Sequence, residues 1–111
     1  MSELGAVNVT MRVDAIRALL RHHPALLNRM LNGSGLFDPA ATPEALDLHE
    51  PEETLARIAW DIWNGAGGTE FGMALEILPP EDFEAFIEAM RAVALLRGKI
   101  RHFYASGAEN D

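Results

Sequence analysis

The chain has 111 residues, 49% of them hydrophobic and 23% charged, a formal net charge of −8 and no cysteine. That length and apolar content fit one folded domain with its own core and argue against an intrinsically disordered chain. Without cysteine, disulfide frameworks, thiolate metal sites and thiol nucleophiles are excluded, and a reducing, cytoplasmic setting is the natural fit.

The first residues do not form a basic segment leading into a continuous apolar run, so no signal peptide is expected. Nor does any window reach the ~18 uncharged apolar residues of a membrane span. Residues 1–8 read as a loose arm. From Thr10 to about His22, Val13, Ile16, Leu19, Leu20 and His23 recur at helical spacing, opposite Asp14, Arg17 and Arg21, which predicts a helix with one buried face. Val7, Val9, Met11 and Val13 also alternate, so a short strand competes here, but the helical spacing runs on through Leu20.

Pro24 disfavours a helical His23 and suits the first position of a new, short helix to about Leu31, with Leu27, Met30 and Leu31 inward. Asn32-Gly33 punctuates its end, since both residue types tolerate positive φ where the last carbonyls need partners. Residues 33–50 are the least regular stretch. Asp38-Pro39 and Thr42-Pro43 each pair an N-cap candidate with proline, so one or two helical turns fit there, anchored by Leu36, Phe37, Leu46 and Leu48.

Residues 51–64 are the most apolar helix expected. Glu53, Arg57, Asp61 and Asn64 share one narrow stripe, while Leu55, Ala56, Ile58, Ala59, Trp60, Ile62 and Trp63 fill most of the rest. Pro51 suits its first position, Glu52 and Glu53 complement the positive end of the helix dipole, and Gly65 suits the C-cap. This helix, holding both tryptophans, is expected to be the hub.

After the glycine-rich turn 65–68, Thr69 is a plausible N-cap for a helix to about Leu78. Phe71, Leu75 and Leu78 support helix, whereas Phe71, Met73, Leu75 and Ile77 alternate like a strand; helix is preferred because no second strand is there to pair. Pro79-Pro80 opens the longest element, about 80–97, with Phe83, Phe86, Ile87, Met90, Val93 and Ala94 inward and Glu81, Glu84, Glu88 and Arg91 outward. Gly98 either ends this helix or interrupts it before Ile100, Phe103 and Tyr104. Residues 106–111 read as loose. The expected fold is all-α, a single compact domain of four or five helices around the central helix.

Leu55-Ala56-Arg57-Ile58-Ala59-Trp60-Asp61-Ile62-Trp63-Asn64-Gly65, followed by Glu76-Ile77-Leu78-Pro79-Pro80-Glu81-Asp82-Phe83, resembles small uncharacterised bacterial helical proteins, some from mobile elements. In those, an apolar helix ends in aromatic-Asn-Gly and a later helix opens with Leu-Asp-x-x-Asn-Phe. The resemblance covers residues 55–65 and 76–83, departs at Pro79-Pro80, and implies a helical fold without an activity that carries over.

Charge is segregated along the chain. Residues 1–37 sum to +2, residues 38–88 hold thirteen acids against the single base Arg57, and residues 91–101 hold four bases and no acid. Such a field disfavours nonspecific nucleic-acid binding and favours a basic partner. The four histidines, His22, His23, His49 and His102, show no metal-ligand spacing, and Asp47 to Glu53 lacks the alternating oxygens of a calcium loop, so no metal is expected. Residues 64–69 follow a helix and lack lysine, unlike a phosphate-binding loop. No nucleophile, base and orienter occur together, so neither a catalytic residue nor a cofactor is expected, and a small hydrolase acting through carboxylates or histidines ranks below the binding readings.

The reading that best fits the charge pattern is a non-catalytic acidic interaction module for a basic protein partner. Inhibitors, antitoxins, immunity proteins and nucleic-acid mimics share this small acidic format. Its candidate contact residues are Glu44, Asp47, Glu50, Glu52, Glu81, Asp82, Glu84 and Glu88. The alternative is a self-assembling homodimer touching through Leu95, Leu96, Ile100, Phe103 and Tyr104.

Overall fold

The computed structural model describes residues 3–64 and 71–105, with the side chains of 3–8, 71, 97 and 99–105 outside the description. It is all-α. Among the described residues the elements are α1 (Glu3–Leu19), α2 (Pro24–Met30), α3 (Pro43–Leu46), α4 (Glu52–Asn64), α5 (Phe71–Ile77) and α6 (Pro80–Ala105). None is long and apolar enough to cross a membrane. The expected N-cap Thr69 and C-cap Gly65 lie outside the described residues, as does the tail from 106.

The helix α1 starts at Glu3, so most of the expected loose arm is helical and the competing strand over Val7 to Val13 is absent. Val13, Ile16, Leu19 and Leu20 are buried as the spacing predicts, and Ala15 is buried with them. The chain turns at Arg21 to His23, and α2 begins with proline at its first position. Asn32-Gly33 follows α2, but the left-handed glycine is Gly35, at φ 76. The segment between them is a small knuckle in which Leu31 and Phe37 form an isolated antiparallel bridge and Asp38 N–H donates to the Met30 carbonyl at 2.8 Å.

Of the two cap-plus-proline signals, only the second starts a helix. Thr42 Oγ1 accepts from Ala45 N–H at 3.1 Å at the head of α3, whereas Asp38 closes a turn by accepting from Ala40 N–H at 2.9 Å. The one helical turn of α3 ends on Asp47 in the left-handed region, φ 51. Ahead of α4, Glu50 reaches forward: its carboxylate accepts from both the backbone N–H and the Oγ1 of Thr54. That bond satisfies a first-turn amide that has no partner inside the helix, and it lets the Thr54 hydroxyl lie buried.

α4 holds the central place expected of it, in contact with α1, α3 and α5. The most extensive helix pairing is α1 with α6, and α4 packs on α1, flanked by α3 and α5. Arg21 and His23, in the turn that follows α1, pair with Glu88 and Asp82 of α6, so the end of α1 lies by the start of α6 and the two run antiparallel. α4 buries Leu55, Ala56, Ile58, Ala59 and Ile62, yet Trp60 and Trp63 are only half-buried at its edge. They clasp Phe37: the Trp60 ring meets it edge-on at 4.7 Å and the Trp63 ring stacks on it at 5.4 Å. The Trp60 indole N–H donates to the Ala41 carbonyl at 2.7 Å, tying the irregular 33–50 stretch to α4.

Residues 71–77 are helical, as preferred, with Ala74 and Leu78 buried. α6 runs unbroken through Gly98 to Ala105, longer than the expected 80–97, so Gly98 neither ends nor interrupts it. Its 26 residues span about 39 Å at the usual helical rise, within a molecule whose longest extent is 49 Å.

Candidate functional site

The two groups of candidate acids, one at the head of α4 and one at the head of α6, meet at His23. Its Nε2 lies 2.9 Å from both carboxylate oxygens of Asp82, and its Nδ1 lies 3.7 Å from Glu52 Oε2. His23 is also the residue before Pro24 at the start of α2, so three helix starts converge on one imidazole. The local sequence explains this convergence. Acids accumulate in the first turns of α4 and α6 because the helix dipole favours negative charge there, and the Pro24 restart leaves His23 at the corner between them.

Asp82, a candidate partner contact, is buried instead, at 2% exposure. Its carboxylate is committed to His23, which takes it out of any contact surface. Glu52 is half-buried beside the same imidazole, and the Glu50 carboxylate is committed to Thr54. Glu88 is exposed but pairs with Arg21, itself 3.3 Å from His22 Nε2. Glu44 lies 4.0 Å from Arg57, which also donates to Glu53 at 3.0 Å one helical turn back. The Glu53 hydrogen bond raises the Arg57 guanidinium above its ordinary value, so the lone base of the acidic segment stays charged against two carboxylates.

Three candidate acids remain: Asp47, Glu81 and Glu84 are exposed and have no ion-pair partner among the described residues. Glu81 and Glu84 sit three residues apart on the outer face of α6, close enough on a helix to be read together by one cationic surface.

The candidate dimer contacts divide as well. Leu95 is 65% exposed, but Leu96, at 2%, belongs to the inner face of α6 and cannot be a surface contact. Ile100, Phe103 and Tyr104 lie on helical backbone with side chains outside the described set. No group of three or more acids and histidines among the described residues could hold a metal ion.

Sequence reasoning missed the His23 to Asp82 pair, although a signal was present. Asp82 lies four residues before Phe86 and seven before Ala89, both buried, so helical spacing puts it on the inward stripe of α6. A buried carboxylate needs a donor, and the histidine at the proline restart was the residue to test against it. Comparison with known proteins finds no matching family model, curated relative or solved structure.

Proposed function

We propose that this chain is a non-catalytic interaction module whose acidic end, where α4 and α6 begin, binds a basic protein partner. The observation that carries the reading is the exposure of Glu81 and Glu84 on one helix face with no ion-pair partner among the described residues, inside a segment of thirteen acids and one base. Carboxylates already paired with Arg21, His23 or Arg57 would have to break those pairs to serve a partner. Unpaired ones offer charge complementarity at no such cost, which speeds encounter and fixes orientation.

The immobilised chain is expected to retain a basic protein at low salt and release it as ionic strength rises. The double variant Glu81→Lys/Glu84→Lys should weaken that complex by about tenfold or more while leaving the helical signal in circular dichroism intact. Retention of no basic protein at low salt would end the proposal.

A second reading, self-assembly, rests on Leu95, whose exposure on the outer face of α6 is the largest among the large apolar side chains described. It predicts a concentration-dependent dimer in sedimentation velocity that Leu95→Asp dissociates. A monomer at every concentration tested removes it.

A further inference from the structure

The knuckle after α2 carries a chemical feature that neither the acidic end nor the core uses. Asn32 is exposed, and its Oδ1 accepts two backbone hydrogen bonds, from Ser34 N–H at 2.8 Å and from Leu36 N–H at 3.2 Å. The next residue is Gly33. Its own N–H donates to no group among the described residues, and a Cβ placed on it would meet nothing within 4 Å. We propose that Asn32-Gly33 is a self-modifying site at which the folded chain converts Asn32 to aspartate and isoaspartate through a cyclic imide.

The chemistry needs only water. The backbone nitrogen of Gly33, having given its proton to solvent base, bonds to Asn32 Cγ, and the electron pair of the carbonyl moves onto Oδ1. Two N–H groups already aimed at Oδ1 stabilise that developing negative charge as the donors of an oxyanion hole do. The tetrahedral centre then collapses, Nδ2 takes a proton and leaves as ammonia, and a five-membered imide remains. Water adds to one of the two ring carbonyls. Cleavage of the Cγ–N bond gives aspartate, and cleavage of the bond between the backbone carbonyl carbon and nitrogen gives isoaspartate. The net change is an amide plus water to a carboxylate plus ammonium.

Both halves of the first step are prepared by the fold. The nucleophilic nitrogen keeps its proton available to solvent and has no side chain to hinder closure, and the electrophilic carbon is polarised through its oxygen. The products differ in consequence. An aspartate at 32 still accepts from Ser34 and Leu36, with charge-assisted bonds. An isoaspartate adds a backbone carbon inside the knuckle that seats Phe37, a residue only 3% exposed beneath Trp60 and Trp63. The site is therefore a slow switch in surface charge, and in one branch of the reaction it disturbs the tryptophan clasp.

The test follows conversion at Asn32 by mass-spectrometric peptide mapping of the full chain in mildly alkaline buffer, folded and unfolded in guanidinium chloride. The expected result is conversion at Asn32 at least as fast in the folded chain as in the unfolded one. The Gly33→Ala variant should slow it by about tenfold, because a side chain now crowds ring closure. Gly33 has an ordinary φ and open surroundings, so that variant should keep the parent urea midpoint. Asn32→Asp, the direct product, should fold with an unchanged midpoint as well. Conversion slower in the folded chain than in the unfolded one would overturn the proposal, as would a Gly33→Ala variant that reacts at the parent rate.

Discussion

His23→Ala should lower the unfolding free energy by about 3 kcal/mol, the upper end of what is lost when a buried acceptor is left without its hydrogen-bond donor. Asp82 is 2% exposed and both its oxygens face the same imidazole nitrogen, so the truncated chain must either bury an uncompensated carboxylate or open the corner to water. The loss is not larger because the His23 side chain keeps 19% exposure, and water can partly replace it. In urea this corresponds to a midpoint shift of about 2 M for a domain of this size. His23→Gln retains an N–H donor and should recover part of the loss. In an Asp82→Ala background the His23→Ala substitution should cost much less, because the group left stranded is gone. A His23→Ala chain that unfolds within about 0.5 kcal/mol of the parent would show that the pair contributes nothing beyond an ordinary surface substitution.

Phe86→Ala should be the most damaging single truncation in the core, at about 4 kcal/mol. Phe86 is 1% exposed on α6, beside Phe83 at 5.8 Å between ring centroids, within the same buried cluster as Ile16, Leu19 and Leu20 of α1. Since small domains are stable by only about 5–15 kcal/mol, a loss of this size leaves the variant marginal. Trp63→Ala should cost about half as much despite the larger side chain, because Trp63 is half-buried at the edge of α4 and covers mainly Phe37. Urea unfolding of the two variants measures the comparison directly. If Trp63→Ala proved the more destabilising, the tryptophan helix and not the α1–α6 seam would be the energetic centre.

That comparison also shows where reading the chain succeeds and where it stops. Helix identities came from local rules that hold without neighbours: proline at the first turn of α2, α3 and α6, Thr42 as an N-cap, and three-to-four spacing of apolar residues in α1, α4 and α6. The helical choice for residues 71–77 followed from the lack of a pairing strand, a constraint also visible in one dimension. Boundaries were less legible. Gly98 suits either an end or an interruption of the last helix, yet helix hydrogen bonding continues through it, at a propensity cost of about 1 kcal/mol that a long helix can absorb.

The central place of α4 follows from its apolar circumference, but the half-burial of its two tryptophans does not. Trp60 and Trp63 close on the loop residue Phe37, and no periodicity within α4 announces that loop. The acidic surface shows the same limit. Thirteen carboxylates between residues 38 and 88 are a property of the chain alone, and so is their gathering at the first turns of α4 and α6, where the helix dipole favours them. Which of them remain available is decided only when α1 is laid antiparallel on α6, bringing Arg21 to Glu88 and His23 to Asp82 across more than fifty residues of chain. Charge is carried by each residue wherever it goes, but pairing depends on distances of a few ångströms that packing alone sets.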